Sequence, residues 1–346
     1  MSKFFLFISI FCVKSLFTFE IVKKPIQEIS IIKPKNYPKS KGQHYVNKTP
    51  RLSTCTGAAW SADEKCLIVA HFDYGAIYVY DFDENLETAI LSQIVESTDK
   101  LNLQSVDNIC ISPDGQFLAL SINHRKSIVV FEFDKEKKRI VNSNFVVFES
   151  PDPNCHGINF SKNSDYLYFT TIRPDGGIHV CKLKTKNQLI SIDYLGKIKN
   201  DFYPYKPKSI DFSFDDKYLA IIFANNIMMQ PSMAGGAIGL YIIKKDEDFL
   251  NPKLVSYFQD SSIFFGGDDL RFFRDTYQLI VSEQPRDEIS IFEIDPSTHE
   301  LRKKSVVLTK ETSNISLPHG ICISPSGRYL IVCNFGLNNF SIFKIE

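Results

Sequence analysis

The sequence predicts an all-β protein folded as a single β-propeller, because one short pattern recurs six times along the chain. Each copy consists of an apolar strand, a polar turn and a second apolar strand. A leucine follows the turn-opening residue by six positions in every copy. The turn-opening residues, 51, 49, 52, 60 and 51 positions apart, are Ser61, Ser112, Ser161, Ser213, Phe273 and Ser324. A period near 50 residues filled with strands is typical of propeller arrays.

The first 20 residues have the composition of a targeting segment. Lys3 precedes an apolar run from Phe4 to Val13, which is the order of a secretory signal. The run is too short to span a bilayer, and Lys14 interrupts it. A signal predicts export, to the periplasm or outside the cell. The alternative is an uncleaved apolar strand docked on the propeller, which would leave the protein in the cytoplasm.

Residues 21–53 form a connector that contains several lysines and prolines, ahead of the propeller at 54–346. The last copy ends at Glu346 after only three strands, so a closed ring needs an outer strand from elsewhere. The segment Ile26 to Ile32 is the predicted donor, and its pairing would remove an exposed sheet edge. Six copies predict six blades. Seven blades are the alternative, if residues 17–53 form a degenerate blade.

Each copy continues beyond its second strand into the remaining strands of a blade. A third strand alternates apolar and polar residues, as in SIVVFEFD from Ser127, and this alternation indicates one covered face. In the first five copies a charged turn and a weaker fourth strand follow. The turn between the first two strands carries the Asp, Gly, Asn and Pro residues of a tight hairpin. Four such antiparallel strands make one propeller blade.

The fourth copy carries an insertion between its second and third strands, ANNIMMQPSMAGGAI from Ala224. Three of the four methionines of the chain lie here, and loops carry function more often than strands do. Methionine side chains adapt to apolar ligands, so Met228, Met229 and Met233 predict an apolar contact surface. The alternative is an insertion without a role.

Charge and cysteine content exclude several classes of protein. Lys+Arg and Asp+Glu both number 40, which gives no electrostatic reason to expect nucleic acid or an anionic membrane as a partner. The eight cysteines lack C-x-x-C spacing, and most fall in predicted strands, where they are expected to be free, buried thiols. At least one disulfide is the alternative. The sequence predicts a monomer with no membrane span, no cofactor and no metal site.

The repeats HGICISPSGRYLIV from His319 and DNICISPDGQFLAL from Asp107 resemble those of the lactonase-type and YVTN-type bacterial β-propellers. The resemblance covers most of residues 54–346, and WD40 propellers are a more distant likeness. The shared residues are turn and core positions, so they predict the fold more strongly than an activity. The family includes 6-phosphogluconolactonase, which implies lactone opening at the mouth of the channel.

Chemistry-bearing residues gather in two sets of loops that emerge on one face of the predicted ring. The loops before the first strands contribute Asp107, His156, Lys208, Asp268, Asp269 and His319. His156 and His319 precede glycine in equivalent positions of opposite blades, which makes them the sharpest chemical feature of the chain. The alternative for each is a histidine that caps a loop, beside a glycine that permits close blade packing.

For lactone hydrolysis, His156 or Glu283 would activate water, while the second histidine and arginines would bind developing charge. The predicted catalytic residues are His156, Glu283, Arg286 and His319. The predicted ligand-binding residues are Arg173, Lys208, Asp107 and His71. In the fifth copy, Glu283 replaces the asparagine of the related enzymes and Pro285 displaces Arg286.

Three functions follow from these observations. The first is a binding propeller of the YVTN or WD40 type, which recognises an unknown small molecule or protein at the channel face. The altered fifth copy favours this function over catalysis. The second is a lactone hydrolase similar to 6-phosphogluconolactonase. The third is a cation-dependent hydrolase that uses Asp268, Asp269 and Glu283.

Overall fold

In a computed structural model, the described part of the chain comprises residues 19–32, 54–173, 175–186, 189–224, 235–243, 250–260 and 266–346. These residues form six four-stranded antiparallel sheets, which confirms the predicted propeller and its six blades. Nearly all of the targeting segment, most of the connector and the methionine-rich insertion lie outside the described residues, so the predictions made for them stay predictions. No helix in the described ranges is long and apolar enough to cross a membrane.

The strands follow the order of the sequence repeats. Strand β1 spans Gln27–Ser30. Blade 1 contains β2 (Cys55–Trp60), β3 (Cys66–His71), β4 (Ala76–Asp83) and β5 (Thr88–Glu96). Blade 2 contains β6 (Val106–Ile111), β7 (Phe117–Ile122), β8 (Ser127–Asp134) and β9 (Arg139–Glu149). Blade 3 contains β10 (Cys155–Phe160), β11 (Tyr166–Thr171), β12 (Ile178–Lys186) and β13 (Leu189–Ile198).

The second half of the ring repeats this order. Blade 4 contains β14 (Lys206–Phe212), β15 (Tyr218–Ala224), β16 (Gly236–Ile242) and β17 (Lys253–Asp260). Blade 5 contains β18 (Gly267–Phe272), β19 (Gln278–Glu283), β20 (Glu288–Ile294) and β21 (Leu301–Thr309). Blade 6 contains β22 (Pro318–Ile323), β23 (Tyr329–Asn334) and β24 (Asn339–Lys344). A 3₁₀ turn (Gln284–Arg286) joins β19 to β20 within blade 5, and a short helix α1 (Lys310–Ser313) joins blade 5 to blade 6.

The N-terminal strand closes the ring, as the three-stranded last copy predicted. Strand β1 pairs antiparallel with β24, with Gln27 opposite Ile342 and Ser30 opposite Asn339. The pairing extends through Ile21, which bridges Ile345. Blade 6 thereby gains its fourth strand from the start of the chain, and this closure covers the edge of β24.

The core lies between the blades rather than within one central cluster. Six groups of buried apolar side chains each join two neighbouring blades, and the group between blades 1 and 2 includes Ile68, Ile77, Leu118 and Leu120. The first two strands of each blade, nearest the axis, are therefore buried on both faces, which explains the nearly continuous apolar text of these strands in each copy. The seven described cysteines lie in or beside these strands and are free thiols.

The turn-opening serines act as clamps on the inner hairpins. The hydroxyl of Ser112 donates to the carboxylate of Asp114 at 2.6 Å and accepts from the backbone N–H of Phe117 at 2.9 Å. Ser61 and Ser213 make the same two contacts in their own blades. The recurrent serine is thus a hairpin residue, as the sequence pattern predicted.

All six inner hairpins share an irregularity that positions the site. The register between the first and second strand shifts at the start of each blade, as between Val106 and Ile109 in blade 2. The same shift occurs in the other five blades. Bulges of this kind re-aim side chains. Here the shift falls at the first residue of each repeat.

Candidate functional site at the centre of the channel

The first residues of the six repeats form a buried ring, which we call the axial ring. Each occupies the position five residues before the turn-opening residue, and each lies in a different blade. In blade order they are Thr56, Asp107, His156, Lys208, Asp268 and His319. None is more than 6% exposed. The histidines and the aspartates come from opposite blades, so the ring places unlike charges beside one another.

Both histidines of the axial ring donate from Nδ1 to a backbone carbonyl oxygen. Nδ1 of His156 lies 3.0 Å from the carbonyl oxygen of Lys208, and Nδ1 of His319 lies 2.9 Å from that of Thr56. A carbonyl oxygen only accepts, so each Nδ1 carries a hydrogen. The Nε2 atoms are therefore left to meet the carboxylates of Asp107 and Asp268. The two imidazoles stack with ring centroids 5.4 Å apart.

The carboxylates of the axial ring lie close to both Nε2 atoms. Oδ1 of Asp107 is 3.4 Å from Nε2 of His156 and 3.2 Å from Nε2 of His319. Oδ2 of Asp268 is 3.0 Å from Nε2 of His319, while its Oδ1 pairs with the ammonium of Lys208. The second oxygen of Asp107 accepts from the side-chain amide of Asn123. Each carboxylate thus has one oxygen held by Asn123 or Lys208 and one turned to the imidazoles.

The inner oxygens of these carboxylates are not satisfied by the protein. Oδ1 of Asp107 and Oδ2 of Asp268 are fully buried and have no aligned hydrogen-bond donor among the described residues. Both oxygens nevertheless lie within ion-pair distance of Nε2 of His319, at 3.2 and 3.0 Å. A buried carboxylate oxygen without an aligned hydrogen bond is costly, and the attraction of a charged His319 offsets part of that cost.

The charges of the ring shift the pKa values of its members. Burial lowers the pKa of His156, and the nearby carboxylates do not offset this. Burial also disfavours the charged form of His319, but Asp268 and Asp107 outweigh it and raise its pKa to about 9. For both aspartates burial would raise the pKa, and the surrounding cationic groups reverse this and lower it. In the protein alone, His156 is therefore a neutral imidazole beside a charged His319.

Arg271 connects the axial ring with the far half of the channel. Its Nη1 donates to Asp269 at 2.6 Å and to the carbonyl oxygen of Leu270 at 2.7 Å. Its Nη2 has a long contact of 3.5 Å with Asn108. Burial would lower the pKa of Arg271, but the carboxylates of Asp269 and Asp211 outweigh it and raise the pKa above its usual value. A permanent cation therefore lies inside the channel.

A cavity of about 410 Å³ lies beyond Arg271, at the end of the channel that carries the inner hairpin turns. Its apolar walls include Ala58, Trp60, Ile109, Phe160, Phe272 and Ile323. Its polar residues include Asn159, Lys162, Asp211 and Arg271. The loops predicted to carry the functional site lie at the other end of the channel. The axial ring lies between those loops and the cavity.

Four of the eight predicted site residues meet in the axial ring, namely Asp107, His156, Lys208 and His319. Glu283 and Arg286 belong to a second cluster within blade 5. There the fully buried carboxylate of Glu283 pairs with Arg286 and with Lys303, and Arg286 also binds Asp260 at 3.0 Å. The four predicted catalytic residues therefore divide into two pairs, and each pair belongs to a different cluster.

The remaining two predicted residues lie outside both clusters. His71 is fully buried in blade 1, where its Nδ1 accepts from the backbone N–H of Tyr74 at 3.1 Å and its Nε2 lies 2.9 Å from Asn338 of blade 6. Arg173 is exposed and pairs with Asp175 of the same turn at 3.1 Å. Their contacts are those of an inter-blade link and a surface turn.

The eight site residues predicted from the sequence include neither Asp268 nor Arg271. The signal for Asp268 was present, because it opens the fifth repeat at the position that His156 and His319 occupy in theirs. Arg271 occupies the fourth position of the same repeat, where the other copies have Ala59, Cys110, Asn159, Asp211 and Cys322. Arg271 could have been found as the one cationic residue at a channel-facing position where the other copies have small, polar or acidic residues.

The axial ring contains groups that could hold a metal ion. Asp107, His156 and His319 each present one ligand atom within 4.8 Å of the others, and all three side chains are buried. The ring also contains a neutral imidazole beside carboxylates, an arrangement that can accept a proton from water. Metal binding and proton acceptance would both use residues of the axial ring alone.

Comparison with known proteins shows the fold and leaves the chemistry open. No family model matches the chain, and no curated protein matches it. Among solved structures, the chain is similar to the periplasmic gluconolactonase PpgL of Pseudomonas aeruginosa, with 15% identity, a TM-score of 0.59 and coverage of 94% of this chain and 92% of that one.

Two further structures represent the two kinds of propeller that the sequence resembles, the lactonase type and the WD40 type. A candidate 6-phosphogluconolactonase of Bacteroides uniformis has 17% identity and a TM-score of 0.60, over 83% of this chain and 80% of that one. The WD40 repeats of RRP9 have 11% identity and a TM-score of 0.53, over 85% and 95%. The chain is thus a lactonase-like and WD40-like β-propeller in fold, and identity at this level says nothing about its activity.

Proposed function

We propose that this protein is a binding propeller that takes a small organic molecule into the channel cavity beside Arg271. The observation that carries the proposal is the cavity itself. Its volume of about 410 Å³ and its mostly apolar walls with a few polar groups are typical of small-molecule sites. Binding needs no reacting group in the cavity, and the sequence analysis favoured binding for the same chain.

The polar groups of the cavity favour a ligand with oxygen acceptors. Arg271 directs a forked cation towards this half of the channel, and its Nη2 has only the 3.5 Å contact with Asn108 among its hydrogen bonds. Lys162 adds a second cation, 3.8 Å from Asp211. A small carboxylate, a sugar acid or its lactone would match this combination of apolar walls and cationic donors.

A ligand screen with a variant that blocks the cavity tests this function. The purified chain is screened against small carboxylates, sugar acids and lactones by thermal shift, and hits are measured by calorimetry. Ala62 is an exposed turn residue on the cavity lining, so Ala62→Phe fills the mouth without altering the core. Lys137→Phe adds the same ring at an exposed outer turn and serves as the matched control.

The expected result is a hit whose Kd rises at least about tenfold in Ala62→Phe and stays unchanged in Lys137→Phe. Lys162→Met is expected to weaken an anionic ligand by up to about fivefold, the effect of one partly exposed charge. Binding that Ala62→Phe leaves intact would place the ligand elsewhere. If the folded protein binds none of the compounds, the proposal is overturned for small carboxylates, sugar acids and lactones.

A second candidate function is lactone hydrolysis at the axial ring. It is supported by the neutral imidazole of His156 next to the charged His319, which together would provide a base and a stabilising cation. Two of the similar structures carry the names of lactonases, which adds to this support. It ranks second because the two imidazoles are only 3% and 6% exposed, so a substrate would reach them only if the covering residues move.

Hydrolysis of a lactone panel, including a phosphorylated sugar lactone, tests the second function. His156→Gln and His319→Gln are each expected to reduce turnover by at least about a hundredfold, the loss typical of a general acid or base. His179→Gln is the control, because His179 is a fully buried histidine outside the ring. Turnover that survives both ring substitutions would exclude the axial ring as its site.

A further inference from the structure

The axial ring has an arrangement of inner and outer contacts that a salt-bridge network alone does not explain. Each of four side chains uses one polar atom in a contact with a group outside the set of four. His156 and His319 use Nδ1 on carbonyl oxygens, Asp107 uses Oδ2 on Asn123, and Asp268 uses Oδ1 on Lys208. The other polar atom of each side chain faces its neighbours in the ring. Outer contacts of this type orient metal ligands in proteins.

The spacing of the inner atoms of Asp107, His156 and His319 fits one bound ion, because these three ligand atoms all lie within 4.8 Å of one another. Nε2 of His319 is 3.2 Å from Oδ1 of Asp107 and 3.0 Å from Oδ2 of Asp268, and Nε2 of His156 is 3.4 Å from Oδ1 of Asp107. Zinc bonds of about 2.0–2.2 Å in a tetrahedron separate neighbouring ligand atoms by roughly 3.4 Å. The observed separations are therefore close to those around a single bound ion.

The unsatisfied oxygens are the second and independent observation. Oδ1 of Asp107 and Oδ2 of Asp268 are buried without an aligned donor among the described residues, although an imidazole nitrogen is near each. An ion bound by Asp107, His156 and His319 would give Oδ1 of Asp107 a partner and would use a lone pair of each imidazole.

We propose that Asp107, His156 and His319 form a binding site for one divalent transition-metal ion, with Asp268 beside it and Zn²⁺ as the best fit. Two imidazole nitrogens favour a borderline ion over Mg²⁺ or Ca²⁺, which take oxygen ligands. Three protein ligands would leave the fourth position of a tetrahedral zinc site to a water molecule. The ion would join blades 2, 3 and 6 at the axis and stabilise the closed ring. This role is independent of ligand binding in the cavity.

Metal content and metal affinity test the site directly. The purified full chain is stripped with a chelator, reloaded with Zn²⁺, desalted and analysed by mass spectrometry for metal, and Zn²⁺, Mg²⁺ and Ca²⁺ are titrated by calorimetry. The expected result is one retained Zn²⁺ per chain, no comparable heat with Mg²⁺ or Ca²⁺, and a higher Tm for the loaded protein. A visible spectrum of the Co²⁺ form with tetrahedral character would report the geometry.

Substitutions locate the ion. Asp107→Asn and the double variant His156→Gln/His319→Gln are expected to weaken Zn²⁺ binding by more than about a hundredfold, and Asn123→Ala by about 10- to 100-fold. His179→Gln is the matched control, because His179 is equally buried and also lies near a carboxylate, 3.3 Å from Asp152, but is not in the ring. It should bind Zn²⁺ like the parent protein.

Two outcomes would overturn the proposal. The first is folded parent protein that neither retains Zn²⁺ nor gives a binding heat, which would make the ring a network of imidazolium and carboxylate groups. The second is stoichiometric binding that persists in the folded Asp107→Asn protein and in the folded double variant. The parent titration decides the matter even if a ring variant fails to fold.

Discussion

His156 and His319 face each other across the channel, with their ring centroids 5.4 Å apart and their planes inclined by 28°. They belong to blades 3 and 6, and each binds a backbone carbonyl of the next blade around the ring. The contact thus joins opposite blades, and each histidine also ties its own blade to the next one around the ring.

Substitution of Gly157 by alanine is expected to destabilise the fold strongly. A Cβ atom at this position would overlap the carbonyl oxygen of Lys208, which accepts from His156, and would lie 2.7 Å from Cα of Ser209. Because both neighbours are backbone, the blades must move apart. We expect a loss of about 3 kcal/mol, the upper end for overpacking, from urea unfolding.

Gly115→Ala provides the comparison for Gly157→Ala. Gly115 has a φ of +72°, and a Cβ atom there would meet only Ala62, at 3.8 Å. The expected loss is about 1 kcal/mol, the cost of a left-handed backbone alone. Equal losses in the two variants would show that blade packing at Gly157 is not tight.

Substitution of Asp268 by asparagine is expected to lower the free energy of unfolding by about 3–5 kcal/mol in chelator-treated protein. The change leaves the ammonium of Lys208, only 5% exposed, without its anionic partner. The exposed pair of Arg274 and Asp275 is the control, and Asp275→Asn should cost less than about 1 kcal/mol. A loss for Asp268→Asn as small as that of the control would argue against a tightly buried pair.

Removal of residues 1–32 is expected to destabilise blade 6 and to promote association. The deletion takes away β1, the partner of β24, together with the bridge from Ile21 to Ile345. The bare edge of β24 would then be open to pairing with another chain. Removal of residues 1–18 keeps β1 and is the matched control. Urea midpoints and light scattering compare the two, and identical behaviour would show that β1 does not close the ring in solution.

Acidification is expected to destabilise the protein through His71. Burial lowers the pKa of His71 to about 4, whereas the unfolded imidazole titrates near 6.5. Between these values only the unfolded state binds the proton, so stability falls as the pH drops from 6.5 to 4. The maximum loss from this residue is about 3 kcal/mol.

The contribution of His71 is isolated by comparing the parent protein with His71→Gln in urea at several pH values. The slope of stability against pH should be shallower in the variant by up to about 1.4 kcal/mol per pH unit. The ring nitrogen that would gain the proton is Nδ1, which accepts from the N–H of Tyr74 in the folded protein. Parallel pH curves for the two proteins would contradict a neutral, buried His71.

Much of the fold could be predicted from the chain because it depends on local patterns. The turn after Ser112 and the alternation in β8 are set by residues near one another in sequence, and repetition made each signal readable six times. Because the last copy has only three strands, counting the strands indicated that the N-terminal segment would supply the fourth. These features depend on hydrogen bonding and burial within one hairpin or blade.

The candidate site was predicted only in part, because its members are brought together by ring closure. His156, Asp268 and His319 hold equivalent positions in their repeats, but nothing local showed how close they would lie or that Glu283 would pair with Lys303 instead. The direction of each side chain depends on the register shift at the start of its hairpin. Sequence spacing does not encode distances across a channel.

The sequence by itself determined the all-β class, the six blades, the hairpin clamps and the N-terminal closure, since each follows from periodic burial and turn chemistry. Tertiary structure alone decided that Asp107, His156, Asp268 and His319 would meet on the axis and that the cavity would lie beyond Arg271. The physical reason is that these contacts join residues from different blades. Their geometry is set by the packing of six interfaces at once.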